Sequence, residues 1–411
     1  MDIHNGLLYW NSTFPEPVEI PSMEKDALYD VIVVGGGMSG SLTALALVEK
    51  GWKVALLDKR MPGSGSTMAN TGLLQYSNDI MLHELIDQID ERDAVRFYEL
   101  CFEAMGQLRG VASELPIDPD FIVRPSICYA SEDSHVEKLQ REYETLKKFG
   151  FPCDYWNEEQ VTEKLGFSKP AALVTYEDAE VNPYKFVQGI VKHLIDKGVS
   201  IFPYTDVRDV HEENSLLHVK TSAGEFVTEK IVWTTGYETL PVGHRIGADI
   251  NRSYAMVTNV INQGVKTSGN KDIWHEGTLI WETARPYLYI RQTAEGRILI
   301  GGLDEDKAEA PASEKVIAEH AEKLRIELKK LFPQIDTVVE FAYGATFGES
   351  IDNLPFIGKH PTKEGHYYLL GYGGNGTVYS MLGSKMIAEL MENGFHPDAD
   401  LVQLERKYGI K

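Results

Sequence analysis

At 411 residues, with 43% hydrophobic and 25% charged side chains, the chain has ordinary globular composition and exceeds one ordinary domain, so two intertwined domains are expected. Its net charge of −22 is spread along the sequence, which sets aside nucleic acid and anionic membrane as partners. Three scattered cysteines, Cys101, Cys128 and Cys153, argue against a disulfide framework and for a reducing, cytoplasmic setting, and no uninterrupted apolar run is long enough to span a bilayer.

Residues 1–15 lack the basic-then-apolar pattern of a secretion signal, and 1–27 read as an N-terminal extension. Residues 30–34, Asp-Val-Ile-Val-Val, form the apolar β-branched run of a buried parallel strand. Gly35-Gly36-Gly37-Met38-Ser39-Gly40 follows at once, then a helix over 41–50 and a second strand over 53–57 that ends on Asp58 and Lys59. Gly35 permits the tight turn, Gly37 admits a pyrophosphate to the backbone, and Gly40 lets helix and strand approach. Free amides at the helix start, Met38 and Ser39 among them, hold phosphates, and Asp58 is placed to accept from ribose hydroxyls. That unit takes NAD or FAD. Shortly after it, residues 65–72 supply a hydroxyl- and amide-rich loop containing Ser66, Thr67, Asn70, Thr71 and Gly72.

Residues 82–110 and 132–149 show helical spacing, and 153–164 read as a loop and short helix. A helix over 183–197 starts after Asn182 and stops at Gly198, followed by short strands at 199–202, 216–221 and 225–235. Residues 251–303 are strand-rich, with alternation at 287–291 and 297–300. A helix over 315–331, a strand over 338–345, a strand over 366–370, a glycine-rich loop at 371–376 and a helix over 377–393 complete the chain. The α/β pattern therefore opens the chain, returns near 180–240 and returns again at the end. A Rossmann-type nucleotide domain built from 28–90, 175–245 and 340–411 is expected, with an inserted α+β domain of 91–174 and 246–339 carrying a mostly antiparallel sheet.

In this order the motifs resemble the D-amino-acid oxidase, glycine oxidase and sarcosine oxidase family of FAD enzymes, over nearly the whole length. The parts that carry the resemblance are Gly35, Gly37 and Gly40 with Asp58; Asn70-Thr71-Gly72; Thr205-Asp206-Val207; and Thr235-Gly236. Gly344, the run 352–358, and the loop 371–376 opening the last helix follow them. Leu8-Tyr9-Trp10 and the stretch 15–21 look more like the branch around γ-glutamylputrescine oxidase than glycine oxidase itself. The resemblance implies noncovalent FAD, since no cysteine falls in a flavin-linking context, with the adenine near Val207. It implies that Gly374, Asn375, Gly376 and Thr377 stabilise charge on the reduced flavin from a helix N-terminus.

It implies further that a small amine or amino acid loses hydride to flavin N5, that the imine hydrolyses, and that O2 reoxidises the flavin to give H2O2. A dehydrogenase using a quinone or protein acceptor is the alternative, and a non-catalytic flavin-binding subunit a remoter one. Tyr289 falls where glycine oxidase has a pocket tyrosine, and Tyr254, Met256 and Trp281 are further candidates for an aromatic lining. Where amino-acid oxidising members carry a carboxylate-clamping arginine, two residues beyond Gly344, this chain has Thr346; Arg285 or Arg291 would have to substitute. Leu299 stands at the place of the oxygen-activating lysine of sarcosine oxidase. His4, His83, His135 and the other histidines show no ligand spacing, so no metal is expected.

Overall fold

A computed structural model describes residues 3–238, 248–261, 274–311, 313–371 and 373–406. Two sheets organise them. The first runs Phe356–Lys359, His366–Leu370, Gly224–Trp233, Tyr29–Val34, Val54–Leu57, Ser200–Phe202, with all but the first of these strands parallel. Its central strand is apolar from Val31 to Val34 because both faces are covered there: Val31 and Val33 face the helix Met38–Glu49, while Ile32 and Val34 join a cluster with Leu217 and Phe226. Each such side chain contributes roughly 1.5–3 kcal/mol on burial. Helix Gly376–Asn393 packs along Met38–Glu49, so a helix near the end of the chain lies against its first nucleotide helix. That Met38–Glu49 carries buried residues from Gly40 through Leu47 follows from its position between neighbours.

The second sheet has ten strands, ordered His4–Leu7, Val339–Ser350, Ala248–Thr258, Ile298–Glu305, Tyr289–Gln292, Leu279–Glu282, Ile122–Tyr129, Ala171–Glu180 and Leu73–Leu74, with Cys153–Asn157 paired to Ala171–Glu180. It is antiparallel apart from the pair Leu279–Glu282 and Ile122–Tyr129. This is the expected α/β architecture, with a strand-rich block inserted into the nucleotide layer.

Several boundaries move. Strands Ala171–Glu180 and Val339–Ser350 belong to the ten-stranded sheet, so the edges expected at 175 and 340 each cut through or beside a strand of the other layer. The edge at 245 and 246 falls outside the described residues. The N-terminal extension is part of the fold: His4 pairs opposite Ala345, and Tyr9 and Trp10 are buried, with the Trp10 indole donating to the Asn70 carbonyl at 2.6 Å. Residues 153–157 form a strand where a loop was expected, because its alternation spans too few residues to register in sequence. The helical stretch 82–110 is two helices, Leu82–Gln88 and Glu91–Glu114, the second capped by the Asp90 side chain on the Asp93 amide at 2.9 Å.

Candidate active site: two joined cavities

A cavity of about 470 Å³ lies over the C-terminal ends of the parallel strands, the place where open α/β sheets bind nucleotides. Gly35 turns the chain at φ +104°, and Gly37 caps the helix N-terminus; a Cβ on Gly40 would lie 1.6 Å from the Gly35 carbonyl oxygen. Asp58 is held by two amides, Gly36 N to Oδ2 at 2.6 Å and Arg60 N to Oδ1 at 2.7 Å, and burial pushes its carboxyl pKa up. Thr67 bridges the loop to the helix by accepting from the Met38 amide at 3.1 Å, and the Ser39 and Ser380 hydroxyls meet at 2.7 Å. Lys59, Val207, Ser66, Asn70, Thr235, Gly236, Gly376 and Thr377 also face this space. Sequence reasoning missed Arg60, Arg208 and Glu238 there; Glu238 pairs with Lys59 at 2.7 Å and Arg60 at 2.9 Å. Arg60, two residues past the acid, was the one within reach of motif reasoning.

A second cavity, of about 180 Å³, opens beside the first and shares Ser66, Asn70 and Tyr237 with it. It lies between the ten-stranded sheet and the nucleotide layer. Trp281, Tyr287, Tyr289 and Phe347 give it apolar walls, and Asp79, Asp304, Ser253 and Thr346 its polar groups. Thr71, Gly374 and Asn375 complete the side nearer the glycine-rich loop.

This chain matches the family described as FAD dependent oxidoreductase (DAO) over residues 30–390. It belongs to that family. Among curated relatives it is 23% identical over 373 residues to glycine oxidase of Geobacillus kaustophilus (89% of this chain, 93% of that protein). It is 24% identical over 393 residues to γ-glutamylputrescine oxidoreductase of Escherichia coli (93% of this chain, 88% of that protein). The solved structure of the Geobacillus kaustophilus glycine oxidase superposes with TM-score 0.78 at 20% identity, covering 93% of this chain and 99% of that one. L-Proline dehydrogenase from P. horikoshii gives 0.77 at 18%, covering 93% and 98%.

The DAO-family cofactor is FAD, and the first cavity suits it. Gly37 has open space on the cavity side, where a Cβ would meet only the Thr67 hydroxyl at 3.3 Å, so the backbone there admits a pyrophosphate. Asp58 presents an oriented carboxylate for ribose. Cys101, Cys128 and Cys153 are buried and line neither cavity. Asp58→Ala removes a charged acceptor and two backbone restraints; FAD affinity is expected to fall roughly ten- to a hundred-fold. Fluorescence titration of the apoprotein measures it, and unchanged affinity would remove Asp58 from the site.

Five sequence-based site residues lie elsewhere. Tyr254 turns away from the second cavity: its hydroxyl donates to Glu305 at 2.6 Å and its ring stacks on His320 at 3.7 Å. Strand alternation sends its neighbour Ser253 to the cavity instead. Met256 is core for the same reason. Arg291 is 1% exposed, donating to the carbonyls of Gly72 at 2.7 Å and Val181 at 2.8 Å, and it lies 3.7 Å from Glu180. It braces the loop and lines neither cavity. Gly72 itself, at φ +74°, anchors that loop through its carbonyl and through its N–H, which donates to Asn70 Oδ1 at 2.7 Å. Gly344 sits under Pro311, 2.4 Å from where a Cβ would stand, and also lines neither cavity. In the terminal loop, the Gly374 amide is already bonded to Asp79 at 2.6 Å, so Gly376 and Thr377 are the members facing the larger cavity.

Leu299 packs with Tyr9 and Tyr184 in a small core. Two of the histidines, spaced without pattern along the chain, are brought together: the hairpin of Val207–Glu213 and Leu216–Thr221 sets His211 opposite His218, and ligand atoms of both and of Glu213 fall within 4.8 Å. That group lies outside both cavities.

Proposed function

We propose that this DAO-family oxidoreductase oxidises the carbon–nitrogen bond of a small amine whose reacting carbon bears no carboxylate. The observation that carries the reading is the polar lining of the second cavity. Among the described residues it contains no lysine, arginine or histidine, and Thr346 spends its hydroxyl proton on the Ile3 carbonyl at 3.2 Å. A substrate carboxylate would be desolvated there without a cationic partner, which is costly. Arg285 is exposed and donates to the Asp79 carbonyl at 2.7 Å. Tyr289, Trp281 and Phe347 would confine the carbon chain, and the opening through Ser66, Asn70 and Tyr237 would place its reacting end toward the first cavity. Bound FAD supplies the acceptor for the hydride that leaves the carbon beside nitrogen. The imine left behind is hydrolysed by water to a carbonyl compound and the freed nitrogen base. Oxygen is the proposed final acceptor.

Anaerobic mixing of the holoenzyme with a panel of amines and amino acids tests this. A plain amine is expected to bleach the flavin, with kcat/KM at least tenfold above its α-carboxylated counterpart. A tenfold preference for the amino acid would overturn the substrate reading, and bleaching by no compound would overturn the catalytic one. Turnover with a quinone but not with oxygen would make the enzyme a dehydrogenase.

A further inference from the structure

The second cavity carries charge of one sign. Among the described residues its ionisable lining consists of Asp79 and Asp304 together with tyrosines. Asp79 is fixed from two sides, by the Tyr287 hydroxyl on Oδ1 at 2.9 Å and the Gly374 amide on Oδ2 at 2.6 Å. Both donors are neutral, so they orient the carboxylate without cancelling its charge. Asp304 Oδ1 is buried and meets no donor among the described residues. The same holds for Ser77 Oγ, on a residue only 9% exposed that lines the same cavity. Glu349 stands close by: burial, then repulsion from Asp79 and Asp304, raises its carboxyl pKa. A buried oxygen without a donor is unfavourable, and three neighbouring carboxylates make it more so. Arg285, exposed and over the Tyr287 ring at 4.5 Å, counters part of the effect of burial on the Asp304 and Glu349 carboxyls but lines no part of the cavity.

The cavity walls point the same way. The ring centroids of Trp281 and Tyr287 are 6.2 Å apart and those of Tyr287 and Tyr289 5.7 Å apart, a continuous aromatic surface. Aromatic faces beside desolvated carboxylates attract ammonium groups. The volume of about 180 Å³ holds roughly six water-sized groups at about 30 Å³ each.

We propose that Asp79, Asp304 and Ser77 form a subsite for a second, non-reacting ammonium, and that the preferred substrate is a short α,ω-diamine. This rests on the reading of the chain as an amine-oxidising enzyme. The carboxylates and the Ser77 hydroxyl accept from the distal ammonium, the aromatic wall lines the methylene chain, and the uncharged end extends toward Ser66 and Asn70, where the two cavities join. A monoamine of equal length leaves the acids unpaired.

The test compares 1,4-diaminobutane with pentylamine, which have the same number of non-hydrogen atoms, on the holoenzyme and on Asp304→Asn. The wild type is expected to favour the diamine tenfold or more in kcat/KM, expressed in KM. Asp304→Asn should cut that ratio at least tenfold, and Asp304→Glu should restore part of it. A raised or unchanged melting temperature in Asp304→Asn would establish that the variant is folded, as expected when an unpaired buried charge is removed. Equal values for the two amines, or an unchanged ratio in a folded Asp304→Asn, overturn the subsite while leaving amine oxidation standing. If no amine reduces the flavin, calorimetric binding of 1,4-diaminobutane decides: tenfold weaker binding in Asp304→Asn supports the subsite although the oxidation reading falls, and no binding by wild type overturns both.

Discussion

Gly40→Ala is expected to abolish FAD binding and to destabilise the fold by on the order of 4 kcal/mol or more, the range reserved for severe backbone and packing conflicts. The added Cβ would stand 1.6 Å from the Gly35 carbonyl oxygen and 2.7 Å from the Thr234 hydroxyl. Neither can withdraw cheaply. The Thr234 hydroxyl donates to the Val34 carbonyl at 2.8 Å, and the Gly35 amide donates to the Leu57 carbonyl at 2.7 Å, so the turn is tied to strands on both sides. Helix Met38–Glu49 would have to lift from the sheet, carrying the phosphate-binding amides with it. Gly106→Ala is the control: it lies on the exposed side of helix Glu91–Glu114 with nothing within 4 Å of a new Cβ. There alanine is expected to stabilise by about 0.5–1 kcal/mol. Denaturant midpoints and flavin fluorescence read both variants, and near-normal FAD occupancy in Gly40→Ala would refute the close-packing argument.

Arg291→Met should cost on the order of 3–5 kcal/mol, the usual penalty for breaking a buried charge pair from one side. The variant leaves the carbonyls of Gly72 and Val181 without their guanidinium donor and Glu180, also fully buried, with Arg124 at 3.2 Å in place of two guanidinium groups. The loop 70–72 borders the second cavity, so activity should fall for every substrate together. The ratio of kcat/KM between an amine and its α-carboxylated counterpart should not move. A selective loss of amino-acid turnover with a wild-type melting temperature would return Arg291 to the role of carboxylate clamp.

These two residues also separate what each level of description carries. Gly35, Gly37, Gly40 and Asp58 were legible because a phosphate-binding turn is a local demand on the backbone. A positive φ, a missing Cβ and a terminal acid must all occur within some two dozen contiguous residues, framed by a strand and a helix. The buried parallel strand 30–34 was legible for a similar reason, since burial on both faces removes polar residues from the run itself.

Arg291, Tyr254 and Gly344 were misplaced because a side chain's partner is set by sheet register and by which face of the strand it occupies. One residue's shift exchanges cavity for core, as Ser253 and Tyr254 demonstrate. The N-terminal strand was hidden because its partner, Ala345, lies more than three hundred positions away. Asp79 and Asp304 carry no motif; one sits in a loop after the hydroxyl- and amide-rich segment 65–72 and the other at the end of a sheet strand. Only the packing of the two layers brings both carboxylates to one aromatic-walled space, and with them the charge that selects what enters it. The sequence alone carried the nucleotide-binding unit, whose signals are contiguous, and the family resemblance, whose motifs follow one another in order; tertiary structure decided the pocket, whose signal is the meeting of residues the chain keeps apart.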